Sequence, residues 1–106
     1  MKIDNNINFT GIKLSHSDVF STRVIVKHLN KTGFNCFGKK TYDIVSFSDK
    51  RFIFEDIRYR NDFSMRNFGV VFLPNEAYIV ATPRIEQYML PLIKQIDKGA
   101  CINMSF

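Results

Sequence analysis

Tryptophan is absent from this chain of 106 residues, and cysteine and histidine are scarce, at two each. A zinc site needs four converging ligands, and His16, His28, Cys36 and Cys101 offer neither CxxC nor HxxxH spacing. There is no P-loop, GxGxxG or GxSxG to cradle a phosphate or carry a nucleophile. Glu55 and Asp56 are adjacent in a stretch that reads as a strand, so they point to opposite faces and make no acid/base couple. Catalysis is therefore not expected, and neither is a cofactor or a metal. One rival stands: Cys36 and His28 would meet if the strand after the first helix lay beneath that helix. They would then supply the thiolate of a cysteine-dependent enzyme. The competing reading is a buried thiol beside a surface imidazole.

Long apolar runs are also missing. Nothing approaches the ~20 residues of a membrane helix, and "MKIDNNINFTG" lacks the apolar core of a secretory signal. The sequons at Asn8, Asn30 and Asn103 then read as chance occurrences, and the cysteines as reduced, buried thiols. A cytoplasmic protein with no membrane partner is expected.

What is present is average globular material, 45% hydrophobic and 24% charged, which fits one folded domain over 1–106. Eleven phenylalanines point to an aromatic core, because a buried Phe needs no hydrogen-bond partner. The net charge of +5 lies wholly between Arg23 and Arg66, where ten basic residues outnumber five acids. Such a surface draws an acidic partner, nucleic acid or protein.

The periodicity orders the elements. "INFTGIKL" (7–14) reads as a strand. A helix follows, capped by Ser15 or Ser17, with Val19, Ile25, Val26 and Leu29 inward and Gly33 as its stop. "FNCF", "TYDIVSF" and "RFIFEDIRY" read as short strands separated by "GKK" and "SDK" turns. "FGVVFL" and "AYIVAT" form a hairpin around Pro74 and Asn75. A last helix starts at Thr82–Pro83, with an apolar stripe of Ile85, Tyr88, Met89, Leu92, Ile93 and Ile96. Pro91 kinks this helix, Gly99 ends it, and "CINMSF" returns as a strand. The expected fold is α+β: a two-layer sandwich with a mainly antiparallel sheet of about five to seven strands and two helices on one face, in the order β-α-β-β-β-β-β-α-β.

"RNFGVVFL" (66–73) is similar in part to the base-stacking strand of the RNA-recognition motif family. Arg66, Phe68, Gly69 and Val71 match; Asn67, Val70 and Leu73 do not, and Val70 replaces a stacking ring. Asn8 stands where the first strand of that family carries another ring, and the element order differs. The stretch is therefore read as a core strand in which Gly69 permits close packing.

Two binding modes follow. In the first, a non-catalytic module presents Arg58, Arg60 and Arg66, with Lys39 and Lys40 at a second basic tip, to nucleic acid or an acidic protein surface. Read as a strand, 51–60 puts Arg58 and Arg60 on one face. In the second, a protein-directed regulator or inhibitor, of the kind mobile elements encode, acts through the 60–67 loop. Phe63 and Met65 are its contacts, and charge steers the encounter.

Overall fold

The computed structural model describes residues 11–43, 47–60 and 66–102; at 47–51, 58 and 60 it describes the backbone alone. Its elements are β1 (Ile12–Lys13), α1 (Val19–Lys31), β2 (Asn35–Thr41), α2 (Phe47–Arg60), β3 (Asn67–Leu73), β4 (Glu76–Val80), α3 (Pro83–Lys94) and β5 (Cys101–Ile102). The strands form one sheet in the order β2-β3-β4-β1-β5. Among the described residues, only the β2–β3 pair is parallel; the other three pairings are antiparallel.

The α+β class, the mainly antiparallel sheet and the two helices on one face are all found. Ile25, Val26 and Leu29 of α1 and Ile85, Met89 and Ile93 of α3 close over Phe68, Val70, Phe72, Ala77 and Ile79. The segment 47–60 departs from expectation: it is the helix α2, where strands were expected. Ile53, Phe54 and Ile57 point inward at helical spacing and cover Val71, Leu73, Tyr78 and Val80 on the opposite face, adding a third layer. The pairing explains the helix. β2 and β3 are parallel neighbours, which only a crossover can join. Through the pairings β1 runs parallel to β2, so the chain crosses from β1 to the edge at β2 and then steps back to β3. If crossover hand is kept, the return must pass over the other face.

Local chemistry sets the ends. Asp18, rather than Ser15 or Ser17, caps α1, its carboxylate accepting from the Ser21 amide at 2.7 Å. Hydrogen bonds from Ser21 hold the Asp18 carboxyl below its ordinary value. At the other end Phe34 N donates to Leu29 O and Gly33 N to Asn30 O, with Gly33 at φ 98°, which is a Schellman turn. "GKK" is not a turn: β2 runs through it, with a bulge between Cys36 and Gly38. Pro74 and Asn75 do turn the β3–β4 hairpin, Asn75 at φ 64°. Helix α3 stops at Lys94, short of Gly99, and Ile96 is exposed.

Two carboxylates tie the residues flanking β1 into this frame. Glu86, fully buried in the first turn of α3, accepts from Gly11 N at 3.1 Å and Ala81 N at 3.0 Å. Asp97 accepts from Ser15 N and Oγ at 2.8 and 2.6 Å and from Gly99 N at 3.0 Å.

Strand β3, the heart of "RNFGVVFL", is buried on both faces, and Phe68 lies under α1 and α3 with no exposure. Its ring is core and offers no face to a base. At Gly69, a Cβ would stand 2.8 Å from the Phe37 ring and 3.0 Å from Ile57 Cγ2, so the glycine does permit close packing.

Candidate functional site: a basic helix face beside an apolar cleft

The outward side of α1 carries Arg23, Lys27 and Lys31, all exposed and four residues apart, so they form one line with a rise of ~6 Å per step. No acid lies within α1, and His28 and Lys31 in its last turn complement the dipole. Beside this line Phe20 is 72% exposed and Val24 is also exposed.

At the end of α1 the line meets Arg66, which enters β3. The Asn35 amide donates to the Arg66 carbonyl at 2.7 Å, fixing that backbone against the start of β2. The guanidinium carbon lies 5.4 Å from the centroid of the Phe34 ring, a cation–π contact. Its Nη1 comes within 3.1 Å of where a Cβ on Gly33 would stand, so the same glycine that ends α1 makes room for the cation.

Phe34 and Arg66, with Ile85, Tyr88, Pro91 and Leu92 of α3, line a cleft of about 500 Å³. Tyr88 is 67% exposed, and Phe34 and Ile85 are buried as its floor. Nearby, His28 Nε2 pairs with Gln95 Oε1 at 2.8 Å and ties α1 to α3. A smaller hollow of about 230 Å³ lies between β2, β3 and α2, lined by Phe37, Gly38, Lys40, Asp56, Ile57, Gly69 and Val70.

The residues expected to act together are thus dispersed. Lys39 and Lys40 are exposed on β2, at the edge of the sheet, not on a turn tip, and Lys40 and Arg66 line different hollows. Arg58 and Arg60 belong to α2, and a helical backbone removes the two-residue period that put them on one face. Phe63 and Met65 lie outside the described residues. Cys36 and His28 are not hydrogen-bonded to each other. Cys36 Sγ turns to the Gly38 carbonyl at 3.5 Å, burial pushes its thiol up, and His28 is held by Gln95. Both cysteines are free; Cys36 is half-buried and Cys101 exposed, so neither is the fully buried thiol expected.

Two features were missed. The four-residue spacing of Arg23, Lys27 and Lys31 is visible in the sequence but was merged into a regional charge count. The α3 stripe is wider than the core it serves: Ile85, Met89 and Ile93 are buried, whereas Tyr88 and Leu92 are left to line the cleft. That surplus width was the available signal.

Among the described residues no group of three metal-ligating side chains gathers, and no helix is long and apolar enough to cross a membrane. Comparison with protein-family models, with curated proteins and with solved structures finds no match for this chain.

Proposed function

We propose that this chain is a small, non-catalytic binding module that presents a basic, partly aromatic surface to an acidic partner, nucleic acid or an acidic protein surface. The observation that carries the reading is the line of Arg23, Lys27 and Lys31 on the exposed side of a helix with no acids, leading to Arg66 on the Phe34 ring. Lys39 and Lys40 are further exposed cations on the β2 edge strand, apart from this line.

The test is fluorescence anisotropy with labelled oligo-dT, duplex DNA and oligo-glutamate at low and tenfold higher salt. If three cations contact single-stranded phosphates, affinity falls by about 100-fold over that range, a log–log slope near −2. Replacing Arg23, Lys27 and Lys31 together by Glu abolishes the binding. Absence of binding to all three probes at low salt sinks the reading.

A second reading keeps a specific observation in its favour. Phe52 and Tyr59 are 71% and 75% exposed and two turns apart on the outer side of α2, just before the 60–67 stretch. A protein-directed regulator using that stretch, with Phe63 and Met65, would lose its partner on Phe52→Ser with Tyr59→Ser and keep it on reversal of the α1 charges.

A further inference from the structure

Charge is sorted by sign over the layer that α1 and α3 form on one face of the sheet. Its segments, 11–34 and 83–102, hold three acids, and two of them are withdrawn from the surface. Glu86 is fully buried on the Gly11 and Ala81 amides, and Asp97 is buried on Ser15 and the Gly99 amide. Asp18 alone is exposed, and its carboxylate caps α1. The cations are arranged in the opposite way. Apart from Lys13, which pairs with Glu76, all of them are exposed: Arg23, Lys27, Lys31, Arg84, Lys94 and Lys98. Among the described residues none of these six is paired with a carboxylate. Six exposed cations against one exposed acid leave the layer strongly positive, whereas α2 on the other face exposes Glu55. The hydrogen bonds of His28 with Gln95 and of Ser15 with Asp97 hold the end of α3 and the turn after it against α1 and its approach. They bring Lys94 and Lys98, next in the chain to Gln95 and Asp97, alongside α1.

Cations spread along one helix and across to its neighbour do not converge on a single small anion; they match a chain of anions. The row of Arg23, Lys27 and Lys31 advances ~6 Å per step, of the order of the phosphate repeat along an extended nucleotide strand. Phe20 chooses among polyanions. It is 72% exposed, three residues before Arg23 and on the same side of α1, and a row of carboxylates has no face to lay against its ring. A base has a π-face that stacks on such a ring, and only an unpaired base can turn that face outward. We propose that the α1–α3 layer binds a single strand of nucleic acid, with phosphates on Arg23, Lys27, Lys31, Lys94 and Lys98 and one unpaired base stacked on Phe20. Phe68 of "RNFGVVFL" stays in the core; the stacking ring stands on a helix instead. This inference deepens the proposed function and rests on it for the basic face, while choosing a nucleotide strand over an acidic protein.

The experiment measures fluorescence anisotropy of the intact protein with oligo-dT and oligo-U of about twelve nucleotides, a duplex and an abasic strand of the same length, and oligo-glutamate. The tighter of oligo-dT and oligo-U tells DNA from RNA and serves as the probe. It should bind at least about tenfold tighter than the duplex at ~0.15 M salt. Five phosphate contacts steepen its log–log salt slope to about −3.5, and Lys94→Ala with Lys98→Ala returns it to about −2. Phe20→Ala, at an exposed position whose folding is checked by circular dichroism, should weaken the probe about tenfold and leave the abasic strand unchanged. Phe20→Tyr should bind like the native protein. Equal affinity for the duplex, an unaltered slope in the double lysine variant, or no loss on Phe20→Ala overturns the proposal. If oligo-glutamate binds and no nucleic acid does, the single-strand proposal falls and the basic-surface reading stands; if nothing binds at low salt, both fall.

Discussion

Consider a methyl group added at Gly69. Its φ is not positive, so alanine meets no backbone strain there; the whole effect comes from the space above it. The new Cβ would stand 2.8 Å from the Phe37 ring and 3.0 Å from Ile57 Cγ2, both too close. Overpacking of this kind costs about 1–3 kcal/mol. Alanine recovers about 0.5–1 kcal/mol of the entropy that glycine loses in a strand. The net expectation for Gly69→Ala is a loss of about 1–2 kcal/mol, an urea midpoint lower by about 0.5–1.5 M. The two neighbours differ in how far they can yield. Phe37 is 41% exposed on the bulged edge strand and can swing outward, whereas Ile57 is buried beneath α2. Phe37→Ala alone should cost about 1–2 kcal/mol, because its ring is only partly withdrawn from water. Combined with Gly69→Ala it should cost less than the two singles summed, since the methyl no longer meets the ring, while the 3.0 Å approach to Ile57 remains. The double-mutant cycle then shows a coupling of about 0.5–1 kcal/mol, the share of the overpacking that the ring carries. Strict additivity, or a neutral Gly69→Ala, would refute the idea that this glycine exists to seat the Phe37 ring.

The two buried carboxylates give sharper single-site outcomes. Glu86→Gln places an amide N–H₂ against a backbone donor, either Gly11 N or Ala81 N, and should lower stability by about 1–3 kcal/mol. Glu86→Ala, which leaves both amides unanswered, should cost more; equal or smaller losses in urea unfolding would contradict the geometry. Asp97 yields a pH dependence. Burial pushes its carboxyl up, but hydrogen bonds from the Ser15 hydroxyl and amide and the Gly99 amide, with the charge of His16, outweigh this and leave it below its ordinary value of 3.8. A depressed folded value means the stabilisation is fully present above 3.8 and fades as pH falls through the lower folded value. The stability gap between the native protein and Asp97→Asn should therefore be widest near neutrality and shrink below pH 3.8, whereas a constant gap would show that titration plays no part.

How much of this was legible in the sequence depends on whether neighbours in the chain decide the outcome. The β3–β4 turn follows from Pro74 and Asn75, and the end of α1 from Gly33, because each is set by one residue's backbone preference. The start of α3 at Pro83 is of the same kind, and its inward row was visible as a stripe. Segment 47–60 was misread because exposed Phe52 and Tyr59 blur the pattern. Five apolar residues spread over both strand faces of "RFIFEDIRY" resemble a short strand; only the buried set Ile53, Phe54 and Ile57 shows the helical period. The crossover that requires α2 is a property of the sheet and has no local mark. The cleft was hidden for a similar reason. Phe34, Arg66 and Tyr88 are each ordinary in their own segments, and they meet only because the turn after α1, the entry to β3 and the middle of α3 come together in the fold.

The position of β1 in the sheet has a consequence for synthesis. Ile12, completely buried when folded, pairs with Ile79 and Ile102, and neither of those residues has been made when Ile12 leaves the ribosome. At translation rates of about 5–20 residues per second, roughly 3–13 s separate Ile12 from even the nearer of them. Helix α1 and the β2–α2–β3 unit can assemble first, leaving a two-residue slot between β4 and β5 to be filled by a strand made long before. For that interval the nascent chain exposes an unpaired apolar segment with a long loop still to close. Chaperone capture near Ile12 and sensitivity to elongation rate would be the cellular traces of that topology.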